Sequence, residues 1–220
     1  VSGGTAGAGG RLDGRVERGN QTRRLVLRRT VDIASVEGLD ALSLGRIAAE
    51  LNLSKSGVFA LFGSKEELQL ATVRAAGRIF LDTVVEPARE EPPGLGQVAR
   101  LCANWLEYSE RRVFPGGCFF YGAMAEYDAR EGAVHDAVVD AARGWTGQME
   151  RCVGEARDAG EVRADTDIGQ LTFELIALME TANAHSVLHG SPDAYRRASS
   201  GITARLRAAA TDPGIVPQLP

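Results

Sequence analysis

Ser54, Lys55, Ser56 and Gly57 stand in a row and together offer two hydroxyls, an ammonium and a stretch of bare backbone. Groups of this kind donate to phosphate oxygens and to base edges. The run precedes Val58, Leu61 and Phe62, so it caps and begins a short helix whose other face is apolar. Other side chains with chemistry are scattered. Cys118 follows two glycines at the predicted start of a helix, where a thiol pKa can fall and make an oxidant sensor; the competing role is a small buried residue. His185 and His189, four apart, can share one helix face as metal ligands or sit near a helix end at Gly190. With no cysteine or carboxylate pattern beside them, no metal is expected. The strand-linked Gly-x-Gly-x-x-Gly, P-loop, His-Glu-x-x-His and Gly-x-Ser-x-Gly patterns are missing, so neither an enzyme nor a cofactor is expected. A helical hydrolase or small-molecule carrier remains an alternative.

These residues must be positioned by helices, because strand signals are absent. From Asn20, apolar residues Val26, Leu27, Val31, Ile33 and Ala34 recur at three- and four-residue steps until Gly38. Ser43 can cap a short helix holding Ile47, Ala48 and Leu51, and Ser64-Lys65-Glu66-Glu67 reads as a capping box for a fourth, stopped near Glu86 by Pro87. The two short helices have the proportions of a helix-turn-helix, with Ala48 and Ala49 small where they would cross; a plain αα-hairpin with a solvated end fits the same pattern. Beyond Glu90-Glu91-Pro92-Pro93-Gly94 the spacing predicts helices over 95–112, 117–129, 132–159, 167–189 and 192–210. The glycine-rich first ten residues and the proline-rich last ten are expected to be disordered.

Charge separates the two ends of the chain. The whole carries 25 Lys+Arg against 29 Asp+Glu, yet residues 11–65 hold ten basic and six acidic groups and the remainder is acidic. A basic front suggests a polyanionic partner for that part alone. The three cysteines, Cys102, Cys118 and Cys152, are too few and too widely spaced for a disulfide framework or a zinc ribbon. No segment is apolar enough to span a membrane and no secretory pattern opens the chain, so a cytoplasmic protein is expected.

The run from Thr22 to Ala71, above all LSLGRIAAELNLSKSGVFALFGSKEEL (Leu42 to Leu68), resembles the DNA-binding domain of the tetracycline-repressor (TetR) family of bacterial transcription regulators. The segment Val113-Phe114-Pro115-Gly116-Gly117-Cys118-Phe119-Phe120 is similar to one found in a subgroup of that family. The resemblance implies an all-α protein with a helix-turn-helix DNA-binding domain, here 20–66, followed by a larger helical regulatory and dimerisation domain, 67–210; composition makes 1–19 and 211–220 expected disordered tails. It implies a dimeric, ligand-responsive regulator, commonly a repressor, that binds a palindromic double-stranded operator. Residue by residue, it makes Ser43 a phosphate contact, sends Arg46 to the backbone or a base, makes Ser54, Lys55, Ser56 and Gly57 groove-reading positions, and makes Lys65 a phosphate contact. Phe59 and Leu61 depart from the family pattern, which has hydrogen-bonding residues there; Phe59 can still pack against sugar, and Arg46, Lys55 or Arg23 could compensate. Arg11, Arg15 and Arg18 could form a basic arm or belong to a disordered tail.

For the effector the resemblance implies a pocket in the body. Trp105, Tyr108, Phe119, Phe120, Met124, Trp145, Met149 and Phe173, with Asn183 as a polar partner, are the candidate lining, although the same spacings suit ordinary core faces. Glu174 and His185 are further polar candidates. The dimer is expected through the last two helices. Apolar residues, Leu178 among them, spread around much of the first, and a thinner Ile202/Leu206 stripe marks the second. A thiol-based regulator acting through Cys118 is the alternative.

Overall fold

Three serines start three helices. The Oγ atoms of Ser43, Ser54 and Ser64 accept hydrogen bonds of 3.1, 3.0 and 3.0 Å from the backbone N–H groups of Arg46, Gly57 and Glu67. Each cap satisfies a donor that the first helical turn leaves unpaired, an effect of about 1 kcal/mol. The computed structural model describes residues 9–219, with side chains from Glu17 onward, and residues 1–8 of the predicted N-terminal tail lie outside them. Among the described residues are nine α-helices and no strand: α1 (Gly9–Glu37), α2 (Leu44–Glu50), α3 (Lys55–Phe62), α4 (Lys65–Phe80), α5 (Leu95–Glu110), α6 (Phe119–Tyr127), α7 (Ala133–Asp158), α8 (Ile168–His189) and α9 (Asp193–Ala209). None is long and apolar enough to cross a membrane.

Helices α1 to α3 make a small head. Its core is Val26, Val31, Leu39, Leu42, Ile47, Val58 and Phe62, all buried, and it continues through Leu68 and Ala71 of α4 into the body. Between α2 and α3 the chain reverses at Asn52, whose φ of +53° is a left-handed conformation that asparagine tolerates better than most side chains. Leu53 N–H then closes the turn on Ala48 C=O at 2.8 Å.

Helix α4 runs from the head into the body but changes pitch. A π-helical turn over Leu81–Val85 and a 3-10 turn over Glu86–Glu90 follow it. Pro87 has no N–H to give, and its ring excludes the carbonyl four residues back, so the α-helical ladder cannot pass this point unchanged. The body consists of α5 to α9 packed around Leu101, Trp105, Phe114, Phe119, Met149, Leu175 and Met179. At the start of α5, Leu95 N–H donates to the Glu161 carboxylate at 2.6 Å, so a side chain from the α7–α8 connection caps α5.

Three expectations are corrected. Helix α1 starts at Gly9, well ahead of Asn20: arginine, leucine and glutamate favour helix, no proline interrupts them, and Gln21 bonds back to Glu17 at 3.3 Å. The C-terminal segment is docked. Val216 and Leu219 are buried, Ser199 Oγ donates to Leu219 C=O at 3.1 Å, and two prolines reduce the entropy lost on ordering them. Finally, Ile202 and Leu206 are fully buried within the protomer, so they are core residues and leave the outer face of α9 to Arg197, Gly201, Ala204 and Arg205.

Candidate functional site

The head presents one face of α3 to solvent. Ser54, Lys55, Ser56, Gly57, Phe59 and Ala60 are exposed, while Val58 and Phe62 point into the core. Ser54 serves as the cap, and a Cβ placed on Gly57 would lie 2.8 Å from its Oγ, so glycine keeps both cap and tip intact. Phe59 is 57% exposed, a large ring with no intramolecular task. The flanking arginines are engaged. Arg46 donates to both oxygens of Glu37 at 2.8 and 2.7 Å and to Glu50 at 2.8 Å, and Arg29 adds a 2.7 Å bond to Glu50. Hydrogen bonds from Arg46 hold Glu37 and Glu50 below the usual carboxylate range. Arg23 donates to Leu61 C=O at 2.7 Å and lies over the Phe62 ring, which ties it to the C-terminus of α3. Among the described residues at the tip of α3, Lys55 is exposed and makes no ion pair. Arg18 is exposed on α1; the side chains of Arg11 and Arg15 lie outside the described residues.

A polar lock joins head to body. Glu126 of α6 accepts from Leu39 N–H at 2.7 Å and Asp40 N–H at 2.9 Å, capping the 3-10 turn Leu39–Ala41 of the head. Asp40 is itself paired with Arg130, and Lys65 Nζ donates to Asp40 C=O at 2.7 Å. In the body segment before α6, Gly116 N–H donates to Ser35 Oγ at 3.1 Å and the two backbones touch.

Behind the lock lies a cavity of about 520 Å³ enclosed by α4, its π turn, and α5 to α8. Its walls include Phe80, Trp105, Phe120, Tyr121, Met124 and Trp145. Phe80 is the hub, meeting Trp145 edge-on at 5.2 Å and Phe120 at 6.1 Å between centroids. Cys118 and Glu180 also face the space, and Arg74, Arg78 and Arg151 stand exposed at its margin. A room of this size with mostly apolar walls suits a small organic molecule.

Two family models match the sequence. Residues 26–72 match that of the bacterial regulatory proteins of the tetR family, and residues 94–202 match the tetracycline-repressor-like C-terminal domain. The chain belongs to the TetR family. Among solved structures, a TetR transcriptional regulator from Chloroflexus aurantiacus is similar at 21% identity, with 88% of this chain and 98% of that one covered and a TM-score of 0.82. A TetR-family regulator from Cytophaga hutchinsonii gives 18% identity, 89% and 98% coverage and 0.77. One from Streptomyces coelicolor gives 23%, 93% and 97%, and 0.73. No curated protein matches. The TetR fold here is thus an N-terminal DNA-binding domain followed by a helical ligand-binding domain.

Within this TetR-family body the predicted lining residues divide. Trp105, Phe120, Met124 and Trp145 border the cavity. Tyr108, Phe119 and Met149 do not; they are buried in the packing around it, with Tyr108 OH accepting from Phe119 N–H at 3.3 Å. Asn183 is a buried structural residue whose Oδ1 accepts from Ser109 Oγ and from Cys118 N–H, each at 2.8 Å. Phe173 is 69% exposed on α8, away from the cavity, and Glu174 pairs there with Arg205. The His185 and His189 rings lie 5.5 Å apart, and among the described residues no third ligand joins them. At Cys118 burial outweighs the N–H groups of Tyr121 and Phe120 and pushes the thiol up, opposite to the direction a reactive thiolate requires.

The Pro-Gly-Gly-Cys run is explained by this packing. A Cβ on Gly116 would meet Ser35 C=O at 1.8 Å, and one on Gly117, where φ is +89°, would meet Asn183 Oδ1 at 2.4 Å. Glu180 and Glu126, central to the cavity and the lock, escaped notice in the sequence, because a carboxylate on an amphipathic helix reads as solvated surface. Their one signal was a charge within an otherwise small or apolar run, as in Leu178-Met179-Glu180.

Proposed function

We propose that the protein is a dimeric transcriptional repressor that is released from a palindromic operator when a small molecule enters the body cavity. The observation that carries this reading is that α4 serves both halves: its first turn abuts the DNA-reading face and its last turn forms the cavity wall at Phe80. A molecule that favours one placement of Phe80 and the π turn therefore biases the position of the head. That coupling is limited to the ligand's differential affinity for the two arrangements, typically about 1 to 3 kcal/mol. DNA as partner implies a cytoplasmic protein.

The dimer is assigned to the outer faces of α8 and α9. Phe173 and Leu188 are 69% and 77% exposed, and between them runs a groove lined by Ala177, Leu178, Gly201 and Ala204. Two copies related by a two-fold axis would form a four-helix bundle there and place two α3 helices in successive major grooves, about 34 Å apart.

DNA upstream of the protein's own gene tests the regulator reading in a gel-shift titration. Lys65→Ala removes the bond from Nζ to Asp40 C=O and, on this reading, one phosphate contact, so it is expected to weaken binding to all sequences alike and to lower the salt slope by about one. Lys55→Ala is expected to cost about 1 to 3 kcal/mol and to change sequence preference as well. Unshifted DNA, or two variants that bind like the parent protein, would overturn the assignment of this face.

A further inference from the structure

Several polar groups on the cavity wall are committed or exposed. Gln148 accepts from Arg151 and donates to Cys152, Arg78 pairs with Asp82, and the three arginines stand at the solvent margin. Glu180 differs from all of them. It projects from α8 four residues after Ile176, which shares the same wall, and its neighbours there are Cys118 and the aromatic rings. Among the described residues nothing donates to its carboxylate or pairs with it, and burial alone pushes its carboxyl above the usual range. Glu180 is partly buried, and a carboxylate withdrawn even in part from water without a partner is disfavoured, a cost that an apolar residue at this place on α8 would not carry.

Such a charge becomes favourable once a cation shares the cavity. The surrounding rings assist, because indole and phenyl faces attract a positive centre that has been partly desolvated. Arginine guanidinium groups at the margin are exposed to water, where salt screens them, so they weigh less on the occupant than the partly buried carboxylate does. We propose that the cavity is selective for an organic cation, a protonated or quaternary amine on an apolar frame, whose positive centre rests against Glu180 while its frame lies among Trp105, Phe120, Tyr121 and Trp145. This deepens the proposed effector site and rests on that reading for its regulatory meaning, though not for binding itself.

Three probes of one size separate the possibilities: 1-naphthylmethylammonium, 1-naphthalenemethanol and 1-naphthoate, each titrated calorimetrically into the full chain without DNA. The ammonium is expected to bind at least about tenfold more tightly than the alcohol or the carboxylate, an increment of about 1.4 kcal/mol. Glu180→Gln, which keeps the shape and removes the charge, should abolish that preference. Equal or tighter binding of 1-naphthoate would mean that the marginal arginines choose the ligand, and failure of all three probes to bind would exclude the class; either overturns the inference. A Glu180→Gln variant that retains the full preference overturns it too. Should that variant misfold, the comparison on the parent protein still decides. Operator binding by the parent protein is measured separately, so failure of the regulator reading shows as unshifted DNA whatever the probes do.

Discussion

A Phe173→Arg chain is expected to sediment as a folded monomer and to lose about a hundredfold or more in operator affinity. Phe173 lies near the start of α8 with 69% of its surface exposed, at the rim of the α8–α9 groove. Removing it from the protomer core costs nothing, since it is not part of that core. Gly201 lets α8 and α9 pack closely beneath this face, since a Cβ there would stand 3.3 Å from Leu178. In the proposed two-fold interface each substitution occurs twice, and two new guanidinium groups near Arg197 would repel across the seam. A dimer reaches its second half-site at high effective concentration, and losing that linkage commonly costs two to four orders of magnitude in avidity. Sedimentation, a gel shift and circular dichroism check the three parts of this expectation. A helical variant that stays dimeric would move the interface elsewhere. Leu206→Arg makes the contrast: Leu206 is fully buried, so that change is expected to unfold the protomer before it separates the dimer.

Gly116→Ala is expected to lower stability by about 3 kcal/mol, or roughly 6 to 12 °C in Tm for a chain of this size. The added Cβ would stand 1.8 Å from Ser35 C=O, against the Ser35–Val36 peptide itself, so no flexible side chain can give way. Relief requires the segment before α6 to leave the end of α1, which also breaks the 3.1 Å bond from Gly116 N–H to Ser35 Oγ. The damage should not stop at that point. Glu126 holds Leu39 N–H and Asp40 N–H from the same α6, so a displaced α6 loosens the cap of the head's 3-10 turn. Thermal unfolding followed by circular dichroism measures the loss, and hydrogen exchange at Leu39 and Asp40 reports whether the lock has opened. Gly122→Ala on α6 is the control, because a Cβ there meets nothing within 4 Å. Equal stability of the Gly116 and Gly122 variants would refute the close-contact account.

Local chemistry determined the helices. Ser43, Ser54 and Ser64 were legible as caps because capping involves residues within three positions, and the apolar steps of α5 to α9 located them to within a few residues because helical periodicity is also local. The exposed tip Ser54 to Gly57 was legible for the same reason. Which helix faces meet one another, and which enclose empty space, was decided only by the tertiary structure. Trp105 and Tyr108 sit three apart on one face of α5, yet only the former borders the cavity; both are apolar residues on an inward face, and periodicity cannot tell a packed neighbour from a void. Asn183 could be recognised as inward-facing and polar, but Ser109 and Cys118, which satisfy it, come from more than sixty residues away. Val216 and Leu219 read as part of a frayed tail because two apolar residues among prolines cannot order themselves; their order comes from the surface of α9, which exists only after the body has folded. Glu126 and Glu180 complete the pattern. A carboxylate's function depends on whether it meets backbone N–H groups, an aromatic cavity or water, and that choice is made by chain segments far away in sequence.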